Sequence, residues 1–177
     1  MKTFTINLND EPIKTWDIHL GQTFWEKAME TSRDPAEFLF SHIQEVFPIY
    51  SSEISQKLLV AYAQRYKLPL KGCILQAHGT DNENWNYYDE YTNTYHPVSS
   101  FIENNDGKYG VIVLCVCNVN LVLPKTKRSC IIFGDGMIGA KTIHGHTENM
   151  YRALPVFENV QSYTFEYDTA TLQKETL

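Results

Sequence analysis

Short apolar runs, separated by stretches with helical spacing, dominate the pattern of this chain. The two strongest runs are Cys73–Ala77 and Val111–Val116. Both are short, rich in β-forming residues and bounded by Gly, Asn or Asp, which predicts buried strands. Each run leads into a reactive side chain, because His78 follows the first and Cys117 follows the second.

The remaining periodicities predict further elements around these two strands. Strands are predicted over residues 3–8, 130–133 and 162–167. Helices are predicted over residues 24–30, 35–46, 51–67, 97–102 and 138–152, and a long polar and aromatic loop over residues 81–96. Because strands alternate with helices, we expect one α/β domain over residues 1–177, with a parallel core to its sheet.

Charge and hydropathy argue against two classes of partner. The formal net charge is −6, whereas a broad nucleic-acid interface needs basic residues to neutralise phosphates. The longest apolar run, Val111–Cys117, is far shorter than a membrane span. Residues 1–8 alternate polar and apolar, unlike the continuous apolar stretch of a signal peptide. We therefore expect a cytoplasmic protein that binds neither nucleic acid nor membrane.

The four cysteines lie in or at the ends of apolar runs. This placement favours reduced thiols over a disulfide framework. Cys73 and Cys130 are expected to be small core residues. Cys115 and Cys117 share one face of their strand because side chains alternate. Cys117 comes last, beside polar Asn118, so we expect Cys117 at the open edge of the sheet and Cys115 buried and inert.

The ends of the two strands together predict a nucleophile and its base. Active sites of open α/β sheets lie at the carboxyl ends of parallel strands, so parallel neighbours would open His78 and Cys117 into one cleft. A thiol beside an imidazole is the minimal pair for nucleophilic catalysis. Gly79 lacks a Cβ, which lets its N–H approach a substrate carbonyl as an oxyanion donor. Asn118 and the backbone N–H of Cys117 are the candidates for a second donor.

These motifs resemble the caspase-like cysteine peptidases of clan CD, most closely the CHAT branch. The segment Ile74–Gly79 is similar to the strand-His-Gly element of that family, and Val111–Asn118 to its apolar strand ending in the catalytic cysteine. The resemblance implies His78 as acid and base, Cys117 as the nucleophile and Gly79 as part of the oxyanion hole. It also implies a three-layer caspase-like sandwich, in which helices flank a mostly parallel central sheet.

The expected function is that of a cysteine endopeptidase with a protein or peptide substrate and a possible protein activator or regulator. This chemistry requires no metal and no organic cofactor. Asp81 and Asp135 are candidate substrate-binding residues, because acidic groups near the cleft suit a basic substrate side chain.

Two other functions remain open from the sequence. The first is a catalytically inactive caspase-like module that binds partners. The second is a nucleotide- or phosphate-binding domain that uses the glycines of residues 134–139, which follow a predicted strand. His144 and His146, with Glu148 nearby, have no further partner at a characteristic zinc spacing. A solvated helix start is therefore favoured there over a metal site.

Overall fold

The structure, a computed structural model, describes residues 1–31, 53–80, 84–117, 129–134, 151–154, 162–166 and 171–175. Within these ranges the strands are β1 (Lys2–Asn7), β2 (Thr15–Leu20), β3 (Lys71–Gln76), β4 (His78–Gly79), β5 (Asn86–Asp89), β6 (Thr94–Pro97), β7 (Val111–Cys115), β8 (Cys130–Gly134), β9 (Tyr151–Leu154), β10 (Ser162–Glu166) and β11 (Thr171–Glu175). The helices are α1 (Gln22–Thr31), α2 (Glu53–Arg65) and α3 (Val98–Asn105). The α/β class predicted from the sequence is confirmed.

A six-stranded sheet in the order β1-β2-β3-β7-β8-β9 forms the centre of the fold. Its four inner strands are parallel, and the two outer strands are antiparallel to their neighbours. β3 and β7 are parallel neighbours, as predicted, with Gly72 opposite Val111 and Gln76 opposite Cys115. The carboxyl ends of these two strands therefore lie side by side.

Helices pack against both faces of this sheet. Ile74 and Val113 belong to one hydrophobic cluster, which also takes side chains from α2. Leu75 and Leu114 belong to a second cluster, which takes side chains from α3. All four side chains are almost fully buried, and each buried aliphatic side chain contributes roughly 1.5–3 kcal/mol of transfer free energy. Packing on two faces explains why both strands are apolar at every inner position.

The region predicted as a loop over residues 81–96 is instead partly a hairpin, so that prediction is wrong over β5 and β6. These strands pair antiparallel, and β5 also pairs with β4 to form a small three-stranded sheet. Tyr88 and Tyr95 are opposite each other, and their ring centroids lie 4.9 Å apart. Aromatic cross-strand pairs and β-forming residues stabilise a hairpin even among polar neighbours.

Other differences from the sequence analysis are smaller. Strand β2 was not predicted, although it alternates buried and half-buried residues as a strand should. The helix predicted over residues 138–152 is wrong at Tyr151 and Arg152, which pair with the edge of β8 in strand β9. The helix predicted over residues 35–46 lies outside the described residues. Among the helices of the described ranges, none is both long enough and apolar enough to cross a bilayer.

Candidate active site

The ladder between β3 and β7 continues past the last residues of the two strands. The Ala77 N–H donates to the Cys115 carbonyl at 3.3 Å. The paired register ends at Gln76 and Cys115, and His78 and Cys117 each come two residues later, at the same edge of the sheet.

Gly79 lies directly against the main chain of Cys117. A Cβ on Gly79 would be 2.1 Å from the Cys117 carbonyl oxygen and 2.9 Å from its nitrogen. No side chain fits in that space, so glycine is required for this close approach of two backbones. The contact brings the His-Gly segment and Cys117 together at one edge of the sheet.

The backbone N–H of Gly79 is not turned towards β5. The Thr80 N–H donates to the Asn86 carbonyl at 3.2 Å, on the β5 side of the strand. N–H groups of successive residues in a strand point to opposite sides. The Gly79 N–H therefore points away from β5.

The imidazole of His78 lies between an aromatic ring and a carboxylate. Its ring centroid is 5.1 Å from that of Phe24 on α1, and Phe24 packs against the cluster on the α2 face. Its Nε2 is 3.8 Å from Oε1 of Glu90, and the two side chains are 52% and 17% exposed. His78 is thus open to solvent on one side and held by contacts on the other.

Glu90 is attached to the first turn of α1. Its carboxylate accepts hydrogen bonds from the Thr23 N–H, at 2.7 Å, and from the Thr23 hydroxyl. Gly21 leaves room for this carboxylate, since a Cβ there would be 3.1 Å from Oε2. Burial raises the pKa of Glu90, but the bonds from Thr23 and the charge of His78 outweigh burial and lower that pKa below its ordinary value. The carboxylate is therefore ionised at neutral pH, as a helix N-terminus favours.

The four thiols fall into two groups. Cys73, Cys115 and Cys130 are buried, whereas Cys117 is partly exposed, and none of the four forms a disulfide. Burial raises the pKa of Cys115 well above its ordinary value and that of Cys130 to about 12. Burial also raises the pKa of Cys73. The prediction that Cys115 is buried is confirmed, and its raised pKa disfavours the reactive thiolate.

The structure brings together three of the predicted site residues, His78, Gly79 and Cys117. The others, Asn118, Asp81 and Asp135, lie outside the described residues. So do the histidines and the glutamate of the alternative metal site and most of the glycine-rich segment. Glu90 lies in the segment predicted as a polar loop over residues 81–96, and its contact with His78 was not predicted. The sequence carries no signal for it, because the contact depends on α1 and the hairpin meeting in space.

The chemistry of this edge follows from the residues themselves. No protein-family model, curated protein or solved structure matches this chain. Within the described ranges, His, Cys, Asp and Glu side chains form no group of three that could hold a metal ion. The edge does combine a partly exposed thiol, an imidazole and the backbone N–H of Gly79. These are the group types that acyl transfer through a thioester uses.

Proposed function

We propose that this chain is a caspase-like cysteine endopeptidase of CHAT type, with Cys117 as nucleophile and His78 as its acid and base. One observation carries the proposal: Gly79 packs against the Cys117 backbone at the adjoining ends of two parallel strands. Helices on both faces of the sheet are compatible with the three-layer caspase-like sandwich that the motifs imply. The partly exposed Cys117 contrasts with three buried thiols and supports its choice as nucleophile.

The proposed mechanism is acyl transfer in two steps. His78 accepts the thiol proton, and the sulfur of Cys117 attacks the carbonyl carbon of the scissile peptide bond. The Gly79 N–H, with Asn118 as the proposed second donor, stabilises the oxyanion of the tetrahedral intermediate. His78 then protonates the leaving amine, and the C–N bond breaks. Water, activated by His78, hydrolyses the thioester and restores the thiol.

The proposed substrates are proteins or peptides with a basic side chain near the scissile bond. Asp81 and Asp135 are proposed to bind that side chain. Tyr95, on the hairpin that pairs with β4, is 62% exposed and is in register with Tyr88, which is itself opposite His78. Its rigid ring suits peptide recognition. Four cysteines without a disulfide fit a reducing compartment, so we propose the cytoplasm as the location of the enzyme and allow for a protein activator.

The test compares peptide hydrolysis by five proteins on one positional peptide library. Wild type is compared with Cys117→Ala, His78→Ala, the double variant of these two and, as a matched control, Cys115→Ala at the buried end of β7. We expect Cys117→Ala and His78→Ala each to lose several orders of magnitude in rate, and the double variant to be hardly worse, because a nucleophile and its base act as a unit. Cys115→Ala should retain hydrolysis.

Two outcomes would contradict the proposal. Hydrolysis that survives Cys117→Ala would exclude the mechanism. No cleavage of any peptide, even after addition of cell extract as a source of activators, would favour the inactive interaction module.

A further inference from the structure

Glu90 contacts His78 on the neighbouring strand and Thr23 on α1, which is far away in sequence. His78 belongs to β4, and Glu90 follows directly after β5, the strand that pairs with β4. The carboxylate is bound on its other side by Thr23, in the first turn of α1. It therefore stands between a helix N-terminus and the imidazole, 3.8 Å from Nε2.

We infer that Glu90 is a positioning residue, which orients the imidazole of His78 by pairing with Nε2 and leaves the other ring nitrogen to face Cys117. This inference rests on the proposed function, because it assigns Glu90 a role through the base of that mechanism. The inference adds Glu90 to the candidate site, although Glu90 belongs to neither the His-Gly motif nor the strand that leads to Cys117.

Preorganisation is the physical reason for this role. An exposed ion pair is weak when two flexible side chains must both be ordered to form it. Glu90 is already ordered by two hydrogen bonds from Thr23, so only the imidazole has to be fixed. Phe24 packs beside the imidazole ring at 5.1 Å and limits its movement further. A carboxylate beside the imidazole also stabilises the charge that it gains when Cys117 loses its proton.

A purely structural role for Glu90 has to be separated from this one, because the same carboxylate caps α1. Glu90→Gln keeps the shape of the side chain and removes its charge. Glu26→Gln is the matched control: Glu26 is an exposed carboxylate on α1 that accepts a hydrogen bond from Gln22 on the same helix. Thr23→Ala removes one anchor of Glu90 and leaves its charge in place.

The test measures the rate at which iodoacetamide alkylates Cys117, located by mass spectrometry, from mildly acidic to mildly alkaline pH. Three titratable groups are placed around His78. Glu90 is 3.8 Å from its Nε2, Tyr88 is opposite it on β5, and Cys117 lies against the backbone of the next residue, Gly79. We expect Glu90→Gln to slow alkylation at neutral pH at least about threefold and to move the rise of the rate to higher pH. Glu26→Gln should change neither the alkylation rate at neutral pH nor the pH at which the rate rises. The values for Thr23→Ala should lie between those of wild type and Glu90→Gln. In a His78→Ala background, Glu90→Gln should have no further effect.

The outcomes separate this inference from the proposed function. If Cys117 of the wild type reacts fast and depends on His78, but Glu90→Gln behaves like Glu26→Gln, the positioning role is excluded and the dyad stands. An equal loss from Glu90→Gln with and without His78 also excludes it, because Glu90 then does not act through His78. If Cys117 of the wild type is inert, the dyad and the positioning role both fail. Thermal unfolding of each variant identifies any loss of folding, and Thr23→Ala then serves as the second variant.

Discussion

The body of strands β3 and β7 and their carboxyl ends are built from the same two segments but differ in chemistry. Cys115 ends β7 and Cys117 lies two residues beyond it, yet the first is buried and the second partly exposed. On the neighbouring strand, fully buried Ile74 and half-exposed His78 show the same change. Two faces of packed helices make the body apolar, and the loss of that cover at the strand ends admits polar groups. Polar and reactive side chains therefore become accessible to solvent where the apolar runs end.

Glycine produces close contact in both regions, with different partners. In the body, a Cβ on Gly72 would lie 2.1 Å from the ring of Trp16, a fully buried side chain. At the ends, a Cβ on Gly79 would lie 2.1 Å from the backbone oxygen of Cys117. The first contact belongs to the core, and the second belongs to the candidate site. Substitutions at these two positions should accordingly affect different properties.

The largest expected effect on folding is that of Gly72→Ala. The new methyl group would overlap the ring of Trp16, which has no room to move within the core. Overpacking of this kind should lower the free energy of unfolding by about 3 kcal/mol, measured by chemical denaturation. Lys71→Ala, at an exposed position of the same strand, is the control and should change it by less than about 0.5 kcal/mol. A Gly72→Ala protein as stable as the control would show that the close contact does not exist.

Gly79→Ala should reduce peptide hydrolysis strongly and the stability of the fold only weakly. Its methyl group would push β4 away from Cys117, but β4 is only two residues long and lies at the edge of the fold. We expect at least about a hundredfold loss of peptide hydrolysis, because the oxyanion donor and the nucleophile separate. The free energy of unfolding should fall by less than in Gly72→Ala. Full activity in Gly79→Ala would contradict the geometry of the site.

The same contrast explains what could be predicted from sequence. The body was predictable, because β3 and β7 are continuous apolar runs and their adjacency follows from the alternation of strands and helices. That His78 and Cys117 lie at the same edge of the sheet was predictable for the same reason, since each follows shortly after one of these strands. Local patterns of this kind require no knowledge of distant contacts.

Features that depend on tertiary contacts were missed. The hairpin of β5 and β6 is polar, and its strands are stabilised by pairing with β4 and by a Tyr–Tyr contact that composition does not display. Strand β9 lies in a segment with helical spacing, but the free edge of β8 offers backbone partners that override this preference. Glu90 meets His78 only because β5 pairs with β4 while α1 binds the carboxylate.

Replacing Cys115 or Cys117 by serine compares the buried end of β7 with the position two residues beyond it. Cys115→Ser puts a hydroxyl into the buried apolar cluster, which should lower the free energy of unfolding by about 2 kcal/mol. Cys117→Ser, at the partly exposed end, should lower it by less than about 0.5 kcal/mol and abolish rapid alkylation. Chemical denaturation and labelling of both variants test this. Equal losses of stability would mean that the two sites do not differ in burial.

The smallest effect concerns a carboxylate in the body of the sheet. Asp17 on β2 accepts hydrogen bonds from the Thr5 hydroxyl at 2.6 Å and the Tyr109 hydroxyl at 2.7 Å. Burial raises the pKa of Asp17, but these bonds and the neighbouring positive charges of His19 and Lys71 outweigh burial and lower that pKa below its ordinary value. The folded protein therefore binds this proton less readily than the unfolded chain does. The ionised group contributes stability at pH values above about 4, the ordinary Asp pKa, and that contribution is lost as the pH falls through the lower pKa of the folded state.

Asp17→Asn should remove this part of the pH dependence, because the amide has nearly the same shape and does not titrate. We expect wild type to exceed Asp17→Asn in stability near neutral pH and the difference to shrink once the pH falls below about 4. Urea denaturation of both proteins at a series of pH values measures this difference in the free energy of unfolding. Tyr109→Phe is the matched control: it removes one hydrogen bond, about 1 kcal/mol, and should weaken the pH dependence without abolishing it, because Thr5 still donates to the carboxylate. A difference between wild type and Asp17→Asn that is constant with pH would show that the charge of Asp17 does not stabilise the sheet.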